Sequence, residues 1–280
     1  MLLPNTNFFR VFFVLLLNMA LHAQDFQGKA YYMSKTSVDM DAYGRPNMSE
    51  EQRKRMEERL KRMFEKTFVL DFNRTEAVYK AEEKLEAPGQ GGSRFGGIMS
   101  GAVDGVKYKN LQSKIVLTEL ELFGKLFLVE EELPKLDWEM TGETKQIGRY
   151  TCFKATADKT WQDFDMSAFR RSGNDDENET NHNENNTSLP VSVTAWYTMQ
   201  IPVNQGPGSY WGLPGLILEV TTDKTVILCS KLVLNPETKE NIKRPSKGKV
   251  VSREEYAQIA AEKFKEMREN FRRGGQRGRN

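Results

Sequence analysis

The segment TAWYTMQIPVNQGPGSYWGLPGLILEV, residues 194–220, decides the fold because it reads as two strands joined by a glycine-rich corner. Pro202 has no backbone N–H to offer a sheet, so the first strand ends near it. The Gly-Pro-Gly string at 206–208 predicts a turn, and the Gly-Leu-Pro-Gly string at 212–215 predicts a defined corner. We therefore expect residues 216–220 to enter the sheet as the second strand.

Side-chain alternation along these two strands gives the sharpest prediction of a surface. Successive strand residues point to opposite faces. One face of the first strand is apolar, whereas Trp196 shares the other face with polar neighbours, and Glu219 holds a similar position on the second strand. Two interpretations stay open for Trp196: a helix or loop, such as the C-terminal helix, covers it, or it belongs to an open recognition surface.

Outside this segment, alternation of apolar and polar residues predicts strands along most of the chain. A capping box, Ser49 with Gln52, opens an amphipathic helix over 50–66, and Ser252 with Glu255 opens a second helix near the C-terminus. Stretches with strand-like patterns lie at 28–38, 67–72, 76–81, 108–111, 114–121, 126–132, 137–142, 145–157, 191–201, 216–222 and 225–234.

These elements predict a mainly β fold of the α+β class. Strands that follow one another closely pair antiparallel. We expect a curled antiparallel sheet, or half-barrel, of about nine or ten strands with one helix inserted in the N-terminal half and one at the C-terminus.

The remaining segments predict an N-terminal signal, one domain with two insertions, and a C-terminal tail. Residues 1–23 predict an export signal, because Arg10 precedes an apolar run too short for a membrane span and Ala23 offers a small residue for cleavage. The mature chain then forms a single domain over 24–271, without a transmembrane segment. Flexible insertions are predicted at 88–105, which is Gly-rich, and at 170–188, which is Asn-rich and acidic, and a disordered basic tail at 272–280.

Composition narrows the class of protein. The 280 residues carry a net charge of +2 and include 16 Phe, 9 Tyr and 4 Trp. This balance is typical of a globular protein, and the low charge argues against binding nucleic acid through its phosphates. Once the signal is removed, His182 is the one histidine in the sequence, within the Asn-rich tract. The sequence therefore predicts no metal site, no cofactor and no histidine-based catalytic triad.

The two cysteines, Cys152 and Cys229, allow one disulfide in an exported protein. A simple meander places their strands about three apart, beyond the Cα separation of roughly 7 Å that a disulfide tolerates. Curling of the sheet would bring them closer, so both states stay open.

The string Gly212-Leu213-Pro214-Gly215-Leu216-Ile217 resembles the signature of the GLPGLI family, exported proteins of Gram-negative bacteria. The resemblance is close over about 105–235. Agreeing features are Trp196-Tyr197, Ile201-Pro202, Gly206-Pro207, Cys152-Phe153-Lys154-Ala155, and Trp138 ahead of Glu143-Thr144-Lys145. The family has no established activity, so the resemblance implies an exported envelope protein, periplasmic or secreted. It also implies a partner among outer-membrane receptor components.

Our leading hypothesis is a non-enzymatic binding module that holds an apolar ligand or a partner envelope protein. A carboxylate-dependent periplasmic hydrolase and a purely structural scaffold are the alternatives. No carboxylate pair is singled out by its spacing, and no catalytic residue is assigned. The candidate contact residues are Trp196, Tyr197, Trp211, Gly212, Leu213, Pro214, Gly215 and Glu219.

Overall fold

A computed structural model describes residues 26–37, 48–82, 101–102, 104–160, 190–223, 225–238 and 242–277. The side chains of 59–63 and 271–277 are not part of this description. The predicted export signal, most of the Gly-rich insertion and the Asn-rich tract lie outside the described residues.

The described chain contains twelve strands and two longer helices. In chain order they are β1 (Gly28–Thr36), α1 (Glu50–Phe64), β2 (Glu65–Phe72), β3 (Glu76–Ala81), β4 (Val106–Asn110), β5 (Ile115–Leu122), β6 (Lys125–Glu132), β7 (Glu139–Ile147), β8 (Tyr150–Lys159), β9 (Val191–Thr198), β10 (Leu216–Thr221), β11 (Thr225–Leu234), β12 (Lys249–Val251) and α2 (Arg253–Arg277).

All twelve strands form one open sheet in the order β12-β6-β5-β4-β3-β2-β1-β11-β10-β9-β8-β7. Two antiparallel meanders, β1 to β6 and β7 to β11, are joined through the β1–β11 pair. The one parallel pair in the described sheet is β12 with β6. The mainly β class, the antiparallel pairing and the two helices are therefore as predicted.

The strand count of nine or ten was too low, and several predicted boundaries differ from the observed ones, most clearly between β7 and β8. The sequence predicts strands at 137–142 and 145–157, whereas the structure has β7 and β8 joined by a turn at Gly148-Arg149. Gly148 has a φ of +56°, which suits glycine and allows the reversal inside an otherwise strand-like stretch. The three-residue β12 carries no alternation long enough to predict.

Both predicted capping boxes are confirmed. The Ser49 amide donates to Gln52 Oε1 at 3.0 Å, and the Gln52 amide donates to Ser49 Oγ at 3.3 Å. Ser252 and Glu255 exchange the equivalent pair of bonds, each 3.1 Å long. Each box satisfies amides that the first turn of a helix leaves free.

Helix α2 covers the β5–β6 end of the sheet. Its apolar stripe packs against residues of both strands, and the Tyr256 hydroxyl donates to the Ala102 carbonyl at 2.9 Å. The buried members of this cluster are Ala102, Leu120, Leu122, Phe127, Val129, Val251, Tyr256, Ala260 and Phe264. The helix continues to Arg277, into the segment predicted as a basic tail.

The segment that connects β9 to β10, residues 199–215, packs inside a curl of the sheet. The Tyr210 carbonyl accepts a hydrogen bond from Lys109 on β4, and the Lys159 ammonium of β8 lies 5.8 Å from the centroid of the Tyr210 ring. Seven strand spacings separate β4 from β8, which is about 34 Å in a flat sheet. One tyrosine and two lysine side chains cannot span that distance, so the sheet must be curled.

Buried apolar side chains of this segment belong to two core clusters. Ile201 and Val203 join a cluster with residues of β1, β2, β3, β8 and β10. Tyr210 and Leu213 join another, with Leu136 and residues of β8, β9 and β10. Side chains of the chain itself therefore occupy the inside of the curl, which is where a curled sheet would otherwise enclose an apolar ligand.

Candidate functional site

Trp196 belongs to a row of side chains that crosses five neighbouring strands of the sheet. Residues directly opposite each other in neighbouring strands share a face of the sheet. The register pairs Trp196 with Glu219 on one side and with Lys154 on the other, and continues from Glu219 to the next two strands. The row, from β1 to β8, is Met33, Leu228, Glu219, Trp196 and Lys154.

Lys145, on the edge strand β7, is fixed over this row. Its ammonium lies 4.3 Å from the centroid of the Trp196 ring and donates to both carboxylate oxygens of Glu219 at 2.8 Å. The ammonium thus combines a cation–π contact with a charge-assisted ion pair. The side chains of Lys145 and Glu219 are 34% and 15% exposed, so this ion pair is partly accessible to solvent. We refer to the row and Lys145 together as the Trp196 surface.

Exposed apolar side chains continue this surface. Met33 is 54% exposed and Leu228 is 38% exposed. Val226, two residues from Leu228 on β11, is 39% exposed. Apolar groups, a half-buried tryptophan and a charge pair that share one face of the sheet are residue types found in protein interfaces.

The sequence predicted the position of Trp196 but not its surroundings. The predicted apolar face of β9 is buried at Val193, Ala195 and Tyr197, and Trp196 and Glu219 are brought together opposite each other. The C-terminal helix does not cover Trp196, because α2 packs at the other end of the sheet. Lys145, which was not among the candidate residues, lies over the ring, and Trp196 also packs against the cluster that contains Ile201 and Val203 of the β9–β10 loop.

The Gly-Leu-Pro-Gly motif forms a structural corner. Gly212 has a φ of +95°, and a Cβ at Gly215 would lie 2.1 Å from the carbonyl oxygen of Thr198. Leu213 is fully buried, whereas Pro214 is exposed. Of the candidate contact residues in this motif, Leu213 and Gly215 are therefore inaccessible to a ligand.

Two tryptophans tie the corner to the segment between β6 and β7. The Trp211 indole N–H donates to the Pro134 carbonyl at 2.6 Å, and the Trp138 indole N–H donates to the Trp211 carbonyl at 2.8 Å. Tyr197 is 3% exposed, and burial raises the pKa of its hydroxyl. Trp211 and Tyr197 thus contribute to packing around the corner, and neither lies in the Trp196 surface.

Both cysteines are free thiols in the structure. Cys152 is buried and Cys229 is half-buried, and both contact the cluster that contains Tyr32. Burial raises the pKa of each thiol to about 11. A high pKa keeps the reactive thiolate form scarce at neutral pH.

Two carboxylates of this region are held in ion pairs. Glu219 is held by Lys145, and the exposed Asp137 pairs with Lys135 at 2.8 Å. Among the described side chains, no group of three or more His, Cys, Asp or Glu residues is arranged to hold a metal ion. Within the same part of the chain, no helix has the length and apolar character needed to cross a bilayer.

A comparison with protein families finds a match to one part of the chain. Residues 138–219, which include Trp196, Glu219 and the corner motif, match a family model described as "Protein of unknown function (Porph_ging)". That description does not carry the name GLPGLI, which therefore stays a resemblance. No curated protein matches the chain.

Two solved structures are distantly similar. One, "Structure of PNGF-II in C2 space group", is 13% identical with a TM-score of 0.49 over 86% of this chain. The other, "Structure of PNGF-II in P21 space group", is 14% identical with a TM-score of 0.42 over 76% of this chain. The matched region spans 33% and 29% of those chains. What the comparisons establish is that residues 138–219 are similar to a family of proteins of unknown function.

Proposed function

We propose that this protein is a non-enzymatic module that binds a partner protein through the Trp196 surface. The observation that carries the proposal is the exposure of Met33 and Leu228 on the face that Trp196 shares, with the Lys145–Glu219 pair lying between Leu228 and Trp196. Tryptophan is among the residues that contribute most to protein–protein affinity, and a surrounding rim that excludes water strengthens its contribution.

A protein partner fits better than a small apolar ligand. Small ligands bind in concave sites that enclose most of their surface. The interior of the curl already holds Ile201, Val203, Tyr210 and Leu213 from the chain's own connecting segment. The exposed apolar groups instead follow one row across neighbouring strands, which suits an extended macromolecular contact.

A binding role also fits the carboxylates of the site better than hydrolysis does. A general acid or base needs a carboxyl group free to exchange its proton with a substrate. Both oxygens of Glu219 accept hydrogen bonds from the Lys145 ammonium. A purely structural scaffold predicts no partner at all, so the experiment below separates it from a binding module.

We propose that the partner belongs to the bacterial cell envelope. Support comes from the predicted export signal at residues 1–23 and from the resemblance of the corner motif to exported Gram-negative proteins. Both features favour a periplasmic or secreted protein whose partner is an outer-membrane receptor component.

The test is native mass spectrometry of the protein released gently from the envelope of its host. We expect a protein-sized adduct on the wild type that is lost in Leu228→Asp and in Trp196→Ala. Val250→Asp is the matched control, because Val250 is 64% exposed on β12 at the other end of the sheet. A lipid-sized adduct, or a bare mass for the wild type, would contradict the proposal.

A further inference from the structure

Lys109 has an unusual environment inside the molecule. It lies on β4 and is 1% exposed. Its ammonium donates to three backbone carbonyl oxygens of the β9–β10 connection: Gly206 at 2.6 Å, Gly208 at 3.2 Å and Tyr210 at 2.9 Å. Three peptide oxygens from one short loop thus converge on a single nitrogen.

Within the described part of the chain, no carboxylate pairs with this buried charge. Among the described residues, the hydrogen-bonding partners of Lys109 are these carbonyls, and none of its contacts is an ion pair. Burial lowers the pKa of Lys109 well below its usual range, and the nearby Lys107 adds to the effect. An ammonium group has three N–H donors, which matches the three acceptors in number, whereas a neutral amine has only two.

The loop is built so that its carbonyls can converge. Gly208 has a φ of +55°, and a Cβ at Gly206 would lie 2.8 Å from Ile217 Cδ1. The same loop leads directly into the corner motif, where the Gly212 amide donates to the Asn204 carbonyl at 3.2 Å. Without a donor at their centre, carbonyls buried here would lose hydrogen bonds that water supplies in the unfolded chain.

We propose that the carbonyls of Gly206, Gly208 and Tyr210 form a binding site for a primary ammonium ion, which Lys109 fills from within the chain. Oriented carbonyl dipoles solvate the cation in place of water, as peptide oxygens do in other cation sites. The ammonium thereby joins β4 to the loop that carries the corner. If the lysine side chain is shortened, the empty site should accept a small alkylammonium ion from solution.

Chemical rescue tests the site directly. Lys109→Ala removes three methylene groups and the ammonium, which propylammonium restores. We expect a lower urea midpoint for Lys109→Ala and a rise toward the wild-type midpoint as propylammonium is added. Neutral 1-propanol should give no such rise, because it lacks the charge and two of the three donors. Equal effects of the two additives, or no effect of propylammonium on folded Lys109→Ala, would overturn the proposal.

The matched control is Lys107→Ala. Lys107 lies two residues away on β4, and its ammonium donates to the Ser209 hydroxyl at 3.1 Å rather than to the carbonyl site. We expect the same concentration of propylammonium to leave the midpoint of this variant unchanged. A rise as large as that of Lys109→Ala would mean a nonspecific effect of the amine and would also overturn the proposal.

A second measurement does not depend on the folding of Lys109→Ala. Nitrogen-15 NMR of the wild type should show one lysine NH₃⁺ group whose hydrogens exchange slowly at neutral pH, and conservative replacement by Lys109→Arg should remove that signal. A neutral, amine-type Lys109 nitrogen at neutral pH would contradict the proposal even if the alanine variant failed to fold.

Discussion

At the scale of single residues, the conformation of the chain is most constrained where a side chain donates to a backbone carbonyl, or where a glycine lets a carbonyl approach closely. Lys109 meets three carbonyls, Gly215 approaches the Thr198 carbonyl, and the indole of Trp211 reaches the Pro134 carbonyl. All three involve the corner motif or the loop before it. The motif therefore determines how the chain turns between β9 and β10, whereas Trp196 on β9 contributes to the Trp196 surface.

Gly215→Ala should be strongly destabilising, because its Cβ would lie 2.1 Å from a backbone oxygen that cannot move aside easily. We expect a loss of at least about 2 kcal/mol in the free energy of unfolding, at the upper end of overpacking effects. Gly148→Ala is the comparison, since Gly148 has a φ of +56° with open space around it. There we expect a smaller loss of about 1 kcal/mol from backbone strain alone. Urea denaturation of both variants checks the order, and a milder effect at Gly215 would contradict the close approach.

The two thiols should react slowly and in a fixed order. With each pKa raised to about 11, few thiolates exist at pH 7.5, and Cys229 is more accessible than the buried Cys152. We expect iodoacetamide to modify Cys229 first in the folded protein, with rates that increase up to about pH 11. The protein denatured without reductant should take up two labels by mass spectrometry. A mass with no label would reveal a disulfide instead.

The same raised pKa values affect stability. A thiol that ionises less readily when folded stabilises the fold fully below the pKa of the unfolded chain, about 8.5. That contribution is lost as the pH rises through the folded value of about 11. We therefore expect the Cys152 and Cys229 thiols to make unfolding easier between about pH 9 and 11. Replacing both by alanine should reduce this pH dependence, and an unchanged pH profile in that variant would contradict it.

Alternation along single strands was enough to place Trp196 and Glu219 each on the polar face of its own strand, but not to predict that the two are paired. It could not predict Lys145 or Lys109. Lys145 reaches Glu219 across a separation of 74 residues, and Lys109 reaches Tyr210 across 101 residues. Such contacts depend on the curl of the whole sheet, about which periodicity along one strand carries no information.

At the scale of elements, helix α2 shows what local sequence signals can and cannot specify. Its capping box was predicted and is present, and its apolar side chains Tyr256, Ala260 and Phe264 are buried against the sheet. Its docking site was not, because the β5–β6 end of the sheet lies more than a hundred residues earlier in the chain. The short β12 was missed because its partner β6 lies more than a hundred residues earlier, and the turn at Gly148 was missed because the stretch around it is strand-like throughout.

Phe264→Ala should detach α2 from the sheet. Phe264 is 3% exposed and packs against Phe123 with a centroid separation of 5.4 Å. We expect a loss of about 3–4 kcal/mol, typical of truncating a buried phenylalanine. Lys263→Ala on the same helix is the control, because its side chain is 44% exposed and its pair with Glu266 contributes little. Urea denaturation and limited proteolysis within α2 check the effect, and equal stability of the two variants would contradict the packing.

At the scale of the whole molecule, residues 199–215 lie inside the curl, because Tyr210 contacts both β4 and β8. The row from Met33 on β1 to Lys154 on β8 is exposed at Met33 and Leu228, whereas Trp196 is half-buried against the cluster that contains Ile201 and Val203. The class of fold followed from the sequence, but the filling of the curl and the exposure of Met33 and Leu228 required the structure. These two exposed side chains are the part of the Trp196 surface on which the proposed protein partner depends.

Photo-crosslinking in the native envelope tests that role most directly. A photoreactive amino acid in place of Met33 stands on the Trp196 surface, and one in place of Val250 stands at an exposed position of β12. We predict a discrete protein adduct from position 33, its loss when Leu228→Asp is added, and no such adduct from position 250. The absence of a protein adduct at position 33, or the same adduct at both positions, would contradict a partner-binding role for the Trp196 surface.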